Sequence, residues 1–246
     1  MDWMAEGIYM DMTSFKTELT KAMAAESKPY KVEALMQTPD VFHPLTQACI
    51  RSFLDTTRNV PVLLHVAHNK GMQPFIHHRE TNRRLSITDA YLLTLDDDME
   101  FTDNGWLEGL IAQLDSDPMC AAAVPSVRKH GRPYVEIDRP QYACNAGTAC
   151  RLMRRVGVYF SMEYAHYYSD TDHALRLWEA GYKIIQTPEV VIHKPSHSLM
   201  GVAPELRENI EYDKAIYDRL WKDVEPKIKT RIEKLNKELK QCNQET

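Results

Sequence analysis

Short, nearly unbroken apolar runs alternate along this chain with longer stretches whose apolar residues recur every three or four positions. No other feature limits the accessible folds as much. Residues 32–36 read as a strand closed by Thr38-Pro39-Asp40, and 45–54 as a helix with Leu45, Ala48, Cys49, Phe53 and Leu54 on one side. Residues 60–67 (VPVLLHVA) form a second strand, apolar enough to be covered on both faces. A third strand spans 91–95 (YLLTL), a helix spans 105–114 after Thr102-Asp103-Asn104, and a fourth strand spans 121–125. Residues 171–181 then read as a helix closed by Gly181, with Ser169 or Asp170 as N-cap. Two further short strands fall at 184–185 and 190–193. Such alternation makes an α/β domain with a mainly parallel sheet flanked by helices.

On either side of this region the pattern changes. Residues 1–30 carry scattered apolar positions and read as a helical segment. From 205 onward the chain is helical and highly charged. One apolar stripe runs through Leu206, Ile210, Tyr217, Leu220 and Val224, and another through Ile228, Ile232, Leu235 and Leu239, with Pro226 interrupting the helix between them. Six Lys/Arg against two Glu over 227–240 make the last helix basic, which leaves it open to a membrane surface or to a homo-oligomer contact.

Composition narrows the function class. The 246 residues, 43% of them apolar, suffice for a sizeable core. The net charge of −5 weighs against a protein held to nucleic acid mainly by charge. No apolar run reaches the roughly 20 residues of a membrane span, and the N-terminus lacks the basic-then-apolar order of a secretion signal. The five cysteines include no C-x-x-C pair, so a reducing, cytoplasmic location is expected.

The strongest chemical signal is Asp96-Asp97-Asp98, directly after YLLTL. Open α/β sheets bind ligands beyond the carboxyl ends of their strands. Asp96 and Asp98 stand two apart, a spacing that brings two carboxylates to one hard cation such as Mg²⁺ or Mn²⁺. A solvated acidic turn is the alternative. Asp170 opens a second acidic segment, Ser169-Asp170-Thr171-Asp172, which reads either as helix capping or as a carboxylate facing a pocket. His193, in VVIHKPSHS, sits at a strand end from which it could reach a cation; Pro195 rules out a helical zinc pair with His197. Arg79, Arg83 and Arg84 could face a diphosphate or simply line a solvated helix, and Trp106 reads as a core residue. No dinucleotide fingerprint, P-loop or G-x-S-x-G elbow is present.

In order, YLLTLDDDMEFTDNGWLEGLIAQL, AAAVPSV, CNAGTACRLMRRVG and SDTDHALRLWEAGYKIIQTPEVVIH resemble a family 2 glycosyltransferase of GT-A fold, over residues 31–198 or about two-thirds of the chain. The resemblance implies a GT-A domain over 31–204, between the helical segment 1–30 and the charged C-terminal helices of 205–246. It implies an inverting, metal-dependent hexosyltransferase using a nucleotide-sugar, with UDP the expected nucleotide. Asp96 and Asp98 would hold Mn²⁺ or Mg²⁺ as the D-x-D pair, with His193 near the cation. Asp170 would be the general base. Thr38 and Asp40 would lie along the nucleotide with Asp96 and Asp97. His68 stands where the family places a base-reading aspartate, which puts uridine specificity in doubt. Residues 128–141 and 161–168 are the loops expected to meet the acceptor, a glycan or other hydroxyl compound. Two other readings share this fold: transfer to a modified base in phage DNA, making nucleic acid the acceptor, and a catalytically silent nucleotide- or glycan-binding protein.

Overall fold

An eight-stranded sheet organises the chain in a computed structural model that describes residues 31–68, 76–129, 134, 136–144, 149–194 and 204–242. The helical segment expected over 1–30 lies outside these residues. The strand order is β2 (Val62–His68), β1 (Val32–Thr38), β3 (Tyr91–Leu95), β7 (Cys150–Met153), β5 (Cys120–Lys129), β8 (Lys183–His193) and β4 (Met99–Phe101), with β6 (Gln141–Tyr142) also paired to β8. The long ladders β1–β2, β1–β3 and β5–β8 are parallel, while the antiparallel pairings of β4, β6 and β7 are short. The sheet is therefore mainly parallel.

Side-chain alternation along the strands divides the core in two. Val32, Ala34 and Met36 of β1, with Leu93 and Leu95 of β3, pack against α1 (Pro44–Thr56) and α3 (Trp106–Ser116). Trp106 is 1% exposed, stacks on Phe101 and donates its indole N–H to Thr56, which makes it a core residue. On the other face, Leu35 and Leu92 pack with Leu85 of α2 (Ile76–Ile87) and with Leu175 and Trp178 of α4 (Ser169–Glu179).

The C-terminal helices α5 (Pro204–Trp221) and α6 (Glu225–Cys242) join that second cluster through Ile216, Tyr217, Trp221, Ile228 and Ile232. Each such buried isoleucine contributes roughly 2 kcal/mol, so this part of the two apolar stripes packs on the chain's own core. Asn236 of α6 exchanges two hydrogen bonds with the Tyr142 backbone, and the Arg231 guanidinium lies over the Trp178 ring. Pro226 falls in the first turn of α6, where its missing N–H costs no helical bond. Among the described residues, no helix is long and apolar enough to cross a membrane.

Three local expectations are corrected. The run over 60–67 is covered only in part on each face: β2 ends the sheet beside β1, and Val62–Ala67 are all partly exposed, with Val62, Leu64 and Val66 packed on one core cluster and Ala67 on the other. The two short strands expected after residue 183 are one strand, β8. Its ladder with β5 skips from Val124↔Gln186 to Ser126↔Val190, so Pro188 falls in the irregularity and interrupts no pairing. Finally, neither Ser169 nor Asp170 caps α4. The cap position is Tyr168, whose φ of 61° turns the chain without a side-chain cap, and the Ser169 hydroxyl instead donates to the His166 carbonyl. Gly181 does close α4: with φ of 90° it lets Tyr182 N–H reach Leu177 and its own N–H reach Trp178, a Schellman arrangement.

Candidate active site

The acid triplet follows β3 at the carboxyl end of the parallel strands, and the backbone fixes it on both sides. Asp96 N–H donates to the Ala149 carbonyl at 2.8 Å, and Lys194 N–H donates to the Asp98 carbonyl at 3.0 Å. Pairing of Met99 with His193 between β4 and β8 brings the imidazole over the turn. His193 Nε2 lies 3.0 Å from Asp98 Oδ1 and 3.9 Å from Asp96 Oδ2. One ligand atom from each of Asp96, Asp98 and His193 falls within 4.8 Å of the others.

Asp98 is 2% exposed, and its Oδ1, although close to the imidazole, is buried without a hydrogen bond. An orphaned carboxylate oxygen flanked by a second carboxylate and a ring nitrogen fits a hard divalent cation. Asp96 reinforces the point. Burial in the crevice, then the carboxylates of Asp98, Asp170 and Asp97, push its carboxyl well above the ordinary carboxylate range. Half of the Asp96 side chain still meets solvent, and the like charges of Asp98, Asp170 and Asp97 crowd it.

The middle acid turns elsewhere. Asp97 Oδ2 accepts from the hydroxyls of Thr38 at 2.5 Å and Thr46 at 3.3 Å, tying the triplet to the end of β1 and the start of α1. Asp40 is exposed and accepts from Phe42 N–H, while His68 is hydrogen-bonded to the Pro39 carbonyl at 2.8 Å. Since Thr38 pairs with His68, the residues Thr38, Asp40 and His68 gather at the adjoining ends of β1 and β2.

Asp170 stands half-buried in the first turn of α4, close enough for its charge to act on Asp96. Beneath it lies Arg151, a residue to which sequence reasoning gave no role. Arg151 is 1% exposed on β7 and points to the α4 side of the sheet, donating to the Asp170 carbonyl at 3.3 Å and to His173 Nδ1 at 3.2 Å. Desolvation lowers the Arg151 pKa, and the Asp170 charge opposes that shift. With Nδ1 accepting, the His173 proton sits on Nε2 and goes to the Val158 carbonyl, so the ring is neutral. An arginine within a buried four-residue strand is the signal that marks it, since burying a cation is costly without a partner.

Other candidates are occupied elsewhere. Arg83 and Arg84 both pair with Glu80 on α2, and Arg84 also meets His65. Arg176 pairs with the fully buried Asp172 at 2.6 Å. Residues 145–148, within the CNAGTACRLMRRVG stretch, lie outside the described residues.

No family model and no curated protein sequence matches this chain. Solved structures do. GalNAc-T7, solved with UDP, GalNAc and Mn²⁺, superposes with a TM-score of 0.54 at 12% identity, over 82% of this chain and 50% of its own. The fold is that of the GT-A glycosyltransferases. TarS 1–349 of S. aureus gives 0.47 at 11% identity, over 67% of this chain and 60% of its own. Glucosyl-3-phosphoglycerate synthase from Mycobacterium tuberculosis, solved with Mg²⁺ and UDP, gives 0.48 at 11%, over 80% of this chain and 81% of its own. The chain thus spans half of GalNAc-T7 and 60% of the TarS fragment. In this GT-A sheet the acid cluster, the β1–β2 ends and the start of α4 share one end, the crevice at which such sheets bind ligands.

Proposed function

We propose that the chain is a metal-dependent glycosyltransferase that moves a sugar from a nucleotide-sugar, with UDP the expected nucleotide, to an acceptor hydroxyl with inversion. One observation carries the reading: Asp96, Asp98 and His193 converge around an orphaned buried oxygen, beside Asp170, at the ligand-binding end of a GT-A sheet. The UDP and Mn²⁺ held by GalNAc-T7 support the same ligand class here.

In this reading Asp96, Asp98 and His193 hold Mn²⁺ or Mg²⁺. When bound, the cation offsets negative charge on the departing nucleoside diphosphate. Thr38 and Asp40 lie along the nucleotide and His68 faces its base, while Asp97 keeps that loop in register with the acid turn through Thr38 and Thr46. Asp170 accepts the proton of the acceptor hydroxyl as its oxygen attacks the anomeric carbon. The new carbon–oxygen bond forms on the face opposite the leaving phosphate oxygen, which departs with the bonding pair, so one displacement inverts the centre. Arg151 holds the Asp170 carbonyl and so sets where the base stands. The catalytic domain is 31–204, with α5 and α6 packed against it.

Thermal unfolding of wild type and Asp98→Ala with nucleoside diphosphates, with and without Mn²⁺, tests this. A ligand at a hundred times its Kd adds about 2.7 kcal/mol, worth roughly 5–10 °C for a chain of this size. UDP should raise the wild-type midpoint only with Mn²⁺, and should leave Asp98→Ala unmoved. No shift with any nucleotide would sink the proposal.

A further inference from the structure

We propose that Asp213, on the C-terminal helix α5, is a positioning residue for the base-bearing turn: its carboxylate fills a nest of backbone N–H groups just ahead of Asp170. The inference rests on the reading of Asp170 as the base.

Asp213 is fully buried, and its two oxygens accept from three successive backbone N–H groups, Ala165 at 2.7 Å, His166 at 2.8 Å and Tyr167 at 2.7 Å. Among the described residues no lysine or arginine stands at ion-pair distance from it. A run of converging N–H groups is an anion-binding concavity, and here the protein's own carboxylate occupies it. Burying a carboxylate without a cation is a poor route to stability alone, whereas it fixes the path of a loop closely.

The same helix holds the chain again just past Asp170. Trp221, two turns beyond Asp213, donates its indole N–H to Asp172 at 2.8 Å, and Tyr164 donates to the same carboxylate. The span 168–171 therefore hangs between two anchors on α5, and it contains both Asp170 and the left-handed Tyr168. With its ends fixed, the span holds the Asp170 carboxylate against the cluster of Asp96, Asp98 and His193. The C-terminal helix thus belongs to the catalytic unit, and a shift of α5 moves the base without touching the donor site.

Asp213→Asn keeps the shape but replaces one accepting oxygen with an NH₂, leaving at least one of the three N–H groups unpartnered. Wild type, this variant and the exposed neighbour Lys214→Ala are compared in two assays. The first is UDP affinity with Mn²⁺. The second is hydrolysis of whichever of UDP-glucose, UDP-N-acetylglucosamine or UDP-N-acetylgalactosamine wild type cleaves fastest, measured well below each midpoint. Expected for Asp213→Asn are UDP affinity within twofold, unchanged donor KM, and kcat down at least tenfold; Lys214→Ala matches wild type. Hydrogen exchange on wild type adds a check independent of any variant's folding: the amides of 165–167 should exchange as slowly as those of β3. A folded Asp213→Asn with wild-type kcat, or fast exchange at 165–167, overturns the proposal and leaves the donor site standing. A wild type that binds no UDP with Mn²⁺ overturns the donor-site reading and this one together.

Discussion

Both ring nitrogens of His173 have fixed partners, an accepting contact with Arg151 and a donated bond to Val158, and its ring is stacked on Phe160 at 4.1 Å. The charged groups acting on it, Arg151 from β7 and Arg176 from its own helix, are both cations. Burial first, then Arg151, lower its pKa from 6.5 to about 3. The folded value lies below the unfolded one, so as pH falls the unfolded chain takes this proton first. Stability from this group is whole above pH 6.5 and is lost between there and pH 3. Integrating the linkage gives a loss of roughly 2 kcal/mol between about pH 7.5 and pH 5. His173→Gln supplies a non-titrating comparison, since its amide can accept from Arg151 and donate to the Val158 carbonyl. Urea unfolding of both proteins at the two pH values isolates the term: wild type should lose about 2 kcal/mol more than the variant. Equal losses would show that the native imidazole takes up its proton near the ordinary pKa. A protonated ring could not accept from Arg151, and the contact that seats the guanidinium below Asp170 would be lost.

Asp170→Asn should retain UDP affinity in the presence of Mn²⁺ while donor turnover falls by about 10² to 10⁴, the usual worth of a general base; a change in affinity of similar size would place Asp170 in the donor site instead. Trp221→Phe removes one of the three donors on Asp172 and leaves Tyr164 and Arg176, so urea unfolding should register a cost of about 1–3 kcal/mol. Gly181→Ala meets no atom within 4 Å but must adopt a φ of 90°, a strain of about 1–2 kcal/mol that a shift in the urea midpoint would report.

Much of the architecture follows from periodicity that the sequence displays openly. The runs at 32–36 and 91–95 bury alternate residues on two helical layers and pair in parallel as β1 and β3. β7 and β4 are harder to read because their lengths of four and three residues carry no period, and the antiparallel β7 owes its place to neighbours on either side. The partial cover of β2 is hidden for a related reason, since apolar content does not say whether a strand ends the sheet. Of the site, Asp96, Asp98 and His193 were visible because acidic spacing and a strand-end histidine are local features. Arg151, marked only by its place in a short apolar strand, acts on a partner 19 positions away, and Asp213 acts on partners 46–48 positions away with nothing in its own neighbourhood to mark a role. The failed cap shows the same limit: Ser169 has a capping residue's chemistry, but the two anchors on α5 set the path into the helix.

Asp96, Asp97, Asp98 and Asp170 crowd one end of the sheet, and each is managed differently. Asp97 accepts from two hydroxyls that tie it to the end of β1 and the start of α1. Arg151, buried below, gives Asp170 a nearby cation and holds its carbonyl. Asp96 and Asp98 face one imidazole, and although Lys129 opposes the shift, burial and the neighbouring carboxylates hold the Asp96 carboxyl raised. A fold selected for stability alone would discard one of the pair. Two carboxylates held together in a crevice suit the divalent cation proposed above, which would supply positive charge there when bound.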